Sequence, residues 1–219
     1  MYYKTSDQER VNLGFGGHEC NSGMHFCGLY ETEQERDEII LAYLRQGLID
    51  KEKVLYTPTE RSVEDFYQKF SEQFPEDKSL LNDNPQLIIN TSDDLYYENG
   101  NFSALRMNVN LNAFYEKSQK EKKVNIRTTA EMVWALDKQL DKTQLMAYES
   151  LLNYFIPGKP WMSICMYNLC RFDGKTIMNV LQTHPYAISK GGIVTENPYY
   201  VHPDIWLAEN APEYLVDKN

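Results

Sequence analysis

The sequence predicts an α/β fold, a three-layer sandwich in which a mainly parallel central sheet is covered by helices on both faces. Three observations carry that expectation. Short apolar runs alternate with longer stretches of helical period along most of the 219 residues. Residues 25–56 read in order as strand, turn, helix and strand, the pattern of a right-handed crossover between parallel neighbours. A hydrophobic content of 42% in a chain of this length fills the core of one large domain, so several small domains are not needed.

The elements follow in order. Residues 25–30 form a short, mostly apolar strand, and Thr32 with Glu35 makes a Thr-x-x-Glu capping box that starts a helix. Ile40, Leu44 and Leu48 fall four apart on its face, Gly47 is expected to end it, and Val54-Leu55-Tyr56 is the next strand, stopped at Thr57-Pro58. Ser62 caps a second helix striped by Val63, Phe66, Tyr67, Phe70 and Phe74. Leu87-Ile88-Ile89 is a buried strand. Residues 92–102, polar and tyrosine-bearing around Asn99-Gly100, are long enough to be a lid over a site. Met107, Leu111 and Phe114 mark a helix, and Val124, Ile126 and Thr128 begin a strand that runs to Glu131-Met132. Leu145, Leu152 and Ile156 define a helix ended by Pro157-Gly158; a strand at 161–169, a helix at 174–183 and a Gly-, Pro- and Tyr-rich tail at 191–203 complete the alternation. The expected boundaries are an N-terminal extension over 1–23, one domain over 24–205 and a C-terminal tail over 206–219.

The turn after the first strand is the most telling segment. A phosphate-binding turn there would need glycines, so that bare backbone N–H groups converge on the anion, and a lysine to neutralise it. Glu31-Thr32-Glu33-Gln34-Glu35-Arg36 offers neither. The scaffold is therefore expected to resemble a nucleotide hydrolase whose phosphate site is degenerate. Gly174-Lys175-Thr176 looks like the end of a phosphate loop, but Leu169 stands where the motif requires its first glycine.

Composition narrows the partners. A net charge of -10 and a pI near 4.9 argue against a nucleic-acid surface, which needs clustered Lys and Arg. No apolar run approaches the roughly 20 residues of a membrane span, and the first residues lack a signal-peptide core, so a cytoplasmic protein is expected. In that setting Cys20, Cys27, Cys165 and Cys170 read as thiols rather than a disulfide framework.

In order along the chain stand His25-x-Cys27-x-x-Tyr30 with Glu33, Gln46-Gly47-Leu48, Glu131-Met132-x-Trp134-Ala135, Glu149, Ile164-Cys165-Met166-Tyr167-Asn168 and Thr183-His184-Pro185. Together they resemble the MEDS domain, the sensory domain of methanogens and methylotrophs named for the dichloromethane regulator. The resemblance covers about residues 11–200. It implies a RecA-like or KaiC-like fold that has lost its Walker A motif and a role in sensing small hydrocarbon derivatives. Asn168 stands where the family commonly has Asp. The chain has no room for the DNA-binding or kinase module that relatives often carry, so output is expected through a partner protein or self-association.

Candidate site residues follow from strand geometry and from that resemblance. Residues i and i+2 of a strand share a face, so His25 and Cys27 point one way, as do Ser163, Cys165 and Tyr167. Tyr30, Glu131, Met132 and Trp134 complete the expected ligand-binding set. For His25 the alternative is an ordinary hydrogen-bonded core histidine, and for the cysteines small buried hydrophobes. Glu149, on one helical face with Leu145 and Leu152, reads as a half-buried carboxylate, either functional or a salt bridge or cap. His18, Cys20, His25 and Cys27 have zinc-compatible side chains, but alternate spacing along a strand splays them, so no metal and no cofactor is assigned. The expected ligand pocket lies at the carboxyl ends of the strands, under residues 92–102.

The expected function is a non-enzymatic small-molecule sensor or regulatory module. Two alternatives stand beside it: a nucleotide-dependent or hydrolytic enzyme using Glu60 and Glu131, and a subunit that binds only protein.

Overall fold

The computed structural model describes residues 10–137 and 140–215. A hairpin of β1 (Arg10–Asn12) and β2 (Glu19–Asn21) leads into β3 (Met24–Tyr30), α1 (Glu33–Ile49), β4 (Lys53–Thr57), α2 (Val63–Gln73) and β5 (Leu87–Ile89). Next come α3 (Ser92–Tyr96), a small hairpin of β6 (Tyr97–Glu98) and β7 (Asn101–Phe102), α4 (Ala104–Glu121), β8 (Ile126–Glu131) and α5 (Trp134–Asp137). The chain closes with α6 (Lys142–Phe155), β9 (Trp161–Asn168), α7 (Gly174–Thr183), β10 (Tyr186–Ser189), β11 (Ile193–Glu196) and α8 (Pro203–Asn210). The main sheet has the order β11-β10-β3-β9-β8-β4-β5, parallel throughout except for the edge hairpin β10-β11. None of the described helices is long and apolar enough to cross a membrane.

Strand alternation sorts the core into two halves. Phe26, Tyr30, Tyr56, Met162, Ile164 and Met166 face α1 and α2, with Ile40, Leu44, Phe66 and Phe70 packed on them. Cys27, Ile126, Ala130, Cys165 and Tyr167 face the layer of α4, α6, α7 and α8. The two sets of side chains come from successive positions of the same strands, the period of two that a doubly covered sheet requires. Trp206 and Leu207 bury α8 in this second layer, and Val11, Leu13 and Phe15 bury the N-terminal hairpin in the first.

Local chemistry sets the helix starts. Thr32, Ser62, Thr91, Ser103, Asp141 and Asp173 each accept a backbone N–H from the first turn that follows. Three expectations are corrected. Gly47 does not end α1 but lies inside it, because a Cβ there would meet Arg127 Cδ at 2.8 Å; the helix needs a gap where the guanidinium passes. Residues 92–102 are not an irregular lid. Thr91 caps α3, and Asn99 and Gly100, with φ of 52° and 76°, form the tight turn of the β6-β7 hairpin. The strand expected from Val124 to Met132 is the shorter β8, ending at Glu131.

Arg127 joins the layers. It is fully buried, pairs through Nε with Glu52 Oε2 at 2.5 Å, and donates to the carbonyls of Tyr43 at 2.9 Å and Asn12 at 3.0 Å. The N-terminal hairpin, α1 and β8 thus share one cation. Arg127→Met, which keeps much of the volume but leaves the buried Glu52 carboxylate without its guanidinium, is expected to lower unfolding free energy by about 3–5 kcal/mol in urea denaturation. A loss below about 1 kcal/mol would show that the cation is not structural.

Candidate functional site

Two polar groups lie on opposite faces of the sheet. The first is at the carboxyl ends of β3, β4, β8 and β9. The wholly buried Glu131 accepts the Tyr56 hydroxyl at 2.6 Å and the backbone N–H groups of Thr59 at 2.9 Å and Glu60 at 2.6 Å. Arg36 Nε and Arg61 Nε lie 3.7 and 3.5 Å from its Oε1, and Arg61 also pairs with Asp37. Glu60 accepts the Tyr30 hydroxyl and Asn168 Nδ2, the latter at 2.9 Å. Burial, followed by the Glu60 hydrogen bond, pushes the Tyr30 phenol far above its ordinary range. Tyr30, Glu60, Glu131 and Asn168 therefore form one cross-linked group that holds the loop after β4 in place.

Helix N-termini near this edge are capped by their own side chains. Glu35 Oε2 takes the Glu31 N–H at 2.8 Å while Thr32 Oγ1 takes that of Glu35 at 3.2 Å. At α7, Asp173 takes the Thr176 N–H at 2.9 Å, so Gly174-Lys175-Thr176 begins an ordinary capped helix.

The second group lies inside the α4, α6, α7 and α8 face. His25 on β3 and Cys165 on β9 are diagonal neighbours, since His25 pairs with Ser163 and Cys27 with Cys165. Glu149 points in from α6, and His184 from the end of α7. All four are buried, and their ligating atoms lie within 4.8 Å of one another. Glu149 Oε2 is 3.2 Å from His25 Nε2, 3.4 Å from His184 Nε2 and 3.4 Å from Cys165 Sγ. Its Oε1 accepts the Tyr167 hydroxyl at 2.6 Å. The two imidazole centroids are 4.2 Å apart.

The environment tunes each group. Burial, then the charge of His184, holds His25 below its ordinary pKa. Burial alone would raise Glu149, but the neighbouring His184 and His25 outweigh it and hold the carboxyl well below the usual range. Burial and then the Glu149 charge push the Cys165 thiol up, and burial pushes Cys27 up to about 12.

Beside this cluster is a cavity of ≈ 20 Å³, lined by Thr57, Thr128, Thr129, Ser163 and Cys165 on its polar side and by Tyr96, Leu111, Tyr148, Leu152 and Trp161 among its apolar walls. A recess of ≈ 100 Å³ near α5 is lined by Ala135, Leu136, Leu145 and Phe172, with Lys142 and Thr176 at its polar side.

The eight predicted site residues thus separate. His25, Cys165 and Tyr167 converge on Glu149. Cys27 lies on the same face, with its thiol toward the Tyr186 carbonyl at 3.6 Å. Tyr30 and Glu131 belong to the opposite, carboxyl-edge group. Met132 follows β8, and the buried Trp134 is stacked on Tyr96 at 3.9 Å, packed beside Tyr97 and Phe102. The set His18, Cys20, His25 and Cys27 is not gathered, for the Cys20 thiol turns to Met162 Sδ on the other face. Glu149 and His184 are the additions; both stand in the quoted motifs, but only the packing of α6 and α7 brings them together.

A model of the MEthanogen/methylotroph, DcmR Sensory domain matches residues 24–185. The chain belongs to the MEDS family. Among solved structures, the flagellar accessory protein FlaH from Methanocaldococcus jannaschii superposes with a TM-score of 0.53 at 15% identity, covering 86% of this chain and 84% of that one. A KaiC-like protein from Pyrococcus horikoshii OT3 does so with a TM-score of 0.51 at 11% identity, covering 84% and 81%. These likenesses show a RecA-like fold for the MEDS chain. No curated protein matches it.

The thiols provide a direct check of the site. Cys170 is exposed, Cys20 is half-buried and Cys27 and Cys165 are buried. With Cys27 raised to about 12 from 9.0, its thiolate fraction near neutral pH falls by about a thousandfold. Native protein treated with a thiol reagent should show one fast thiol, lost in Cys170→Ser, and four after denaturation. Fast labelling of Cys27 or Cys165 would contradict the buried arrangement.

Proposed function

We propose that this MEDS domain is a non-enzymatic sensory or regulatory module that responds to a small organic molecule, of the class of simple hydrocarbon derivatives, and passes the signal to a partner protein or a second copy of itself. The observation that carries the reading is the cavity against Cys165. Its walls are largely aromatic and aliphatic, with Thr57, Thr128, Thr129, Ser163 and the Cys165 thiol as the polar lining that can orient a polar atom. Its ≈ 20 Å³ holds little more than one water, so it suits a molecule of one or two heavy atoms. At a ceiling of about 1.5 kcal/mol per heavy atom, such a ligand binds no more tightly than about the millimolar range.

The output surface follows from the same place. Leu111 of α4 lines the cavity, while Leu105 and Val109 of that helix are exposed on its outer side. Filling the cavity bears on α4 and can change what α4 presents.

An enzyme working on nucleotides would need a grip on phosphate and free carboxylates at the strand ends. Here Thr32 takes the Glu35 N–H at the start of α1 and Glu35 the Glu31 N–H before it, and Glu131 is held by three hydrogen bonds. The charges of Glu31, Glu33 and Glu35 add repulsion for a polyphosphate. Calorimetric titration with Mg-ATP should show no sub-millimolar binding. Tight binding with turnover abolished in Glu131→Gln would replace the sensory reading with the hydrolytic one.

Ligand entry has an optical reporter. Trp161 lines the cavity directly, its Nε1 donating to Thr128 Oγ1 at 3.1 Å, whereas Trp134 touches it only through Tyr96. Alcohols, halocarbons, amines and thiols of two heavy atoms should include a compound that shifts the emission, with most of the shift removed in Trp161→Phe. A panel giving neither an emission change nor a thermal shift would leave the protein-only regulatory role as the better account.

A further inference from the structure

We infer that His25, Glu149, Cys165 and His184 form a tetrahedral site for a divalent transition metal of the zinc class. This rests on the described cluster and not on the small-molecule reading.

Hydrogen bonds outside the cluster determine which nitrogens carry protons. Asn153 Nδ2 donates to the carbonyls of Glu149 at 3.2 Å and Thr183 at 2.8 Å, which fixes the amide orientation and turns its Oδ1 to His25 Nδ1 at 3.1 Å. An amide oxygen only accepts, so His25 carries its proton on Nδ1. His184 Nδ1 is 2.7 Å from the Val180 carbonyl, again an acceptor, so His184 is protonated there too. In each neutral ring the Nε2 lone pair is then aimed inward. Both lone pairs meet Glu149 Oε2, itself an acceptor, and His184 Nε2 has no hydrogen-bond partner.

Protons can pair these atoms only by keeping a buried imidazolium, with His184 Nε2–H toward Glu149 Oε2 and the Cys165 S–H left for His25 Nε2. Cys165 supplies one S–H for its two neighbours, Glu149 Oε2 at 3.4 Å and His25 Nε2 at 3.5 Å. Protonating both rings would place two cations with centroids 4.2 Å apart beside one carboxylate in a site shut off from water. A single divalent cation between the four atoms satisfies every lone pair. With the thiol and carboxyl ionised, two ligand charges balance the ion, and the site is neutral.

The spacing agrees. Zinc bonds of about 2.0–2.3 Å to nitrogen, oxygen and sulfur imply tetrahedral edges of about 3.3–3.7 Å. Four of the six edges, at 3.2, 3.4, 3.4 and 3.5 Å, are of that size, and all six lie within 4.8 Å, so binding the ion draws the ligands slightly together. Two imidazoles, a thiolate and one carboxylate oxygen are a zinc-type donor set. Asn153, the Val180 carbonyl and Tyr167 on Glu149 Oε1 are the outer partners that orient such ligands, and Tyr167 leaves Glu149 one oxygen for the metal. With four protein ligands, the site is closed and structural, joining β3, β9, α6 and α7.

The test uses the full chain, untagged and kept reduced. Elemental analysis should find about one zinc per chain, and replacement by Co2+ should give intense tetrahedral d–d bands with a thiolate-to-metal charge-transfer band. Cys165→Ser should remove the charge-transfer band, while Cys170→Ser keeps it. Asn153→Ala retains all four donors but frees the His25 tautomer, and should weaken affinity in chelator competition about 10–100-fold. Folded wild-type protein that takes up neither Zn2+ nor Co2+ would overturn the site, as would bound Co2+ without the sulfur band. Those wild-type measurements stand even if a variant does not fold.

Discussion

Glu149 is a carboxylate with no access to water, placed in the apolar half of a two-sided core. An uncompensated charge there would cost several kcal/mol, comparable to a domain's whole stability. The surrounding architecture is organised by that constraint. Adjacent β3 and β9 bring His25 and Cys165 to one side of Glu149, α7 ends where His184 reaches the same oxygen, and Tyr167 covers the other oxygen. Asn153, one turn along α6, ties the cluster to the end of α7 through the Thr183 carbonyl. Four elements far apart in sequence are held in register by one polar centre rather than by apolar packing alone.

On the opposite face the carboxylates at the strand ends are engaged within the fold. The carboxylates at the ends of the strands have become internal fastenings: Glu131 holds the loop after β4, and Glu60 joins Tyr30 to Asn168. Asn168 in place of an acid fits this role, because an amide donates to Glu60 where a second carboxylate would repel it. These carboxylates hold the strand ends together, and the cluster around Glu149 lies on the other face beside a small cavity.

Much of the fold is legible in local signals. Capping residues Thr32 and Ser62 start their helices as read, and the apolar runs become strands of a parallel sheet. Misread details came from tertiary context. Gly47 has the form of a helix stop, but its lack of a side chain serves Arg127, eighty residues later. Asn99-Gly100 is a strong hairpin signal, yet its flanking strands are two residues long and carry no alternation to reveal them. Of the polar cluster, strand periodicity exposes the shared face of His25 and of Cys165 with Tyr167. It cannot show that β3 and β9 are neighbours, nor that α6 and α7 deliver Glu149 and His184 to that face. Strand order is a long-range property, and the site is written in it.

The buried lone pairs of His25, His184, Cys165 and Glu149 are proposed to converge on a cation. X-ray absorption at the zinc edge of the purified chain tests it most directly. The predicted spectrum has three nitrogen or oxygen neighbours at about 2.0–2.1 Å and one sulfur at about 2.3 Å. A first shell of oxygen alone, or protein without a zinc edge, would contradict it.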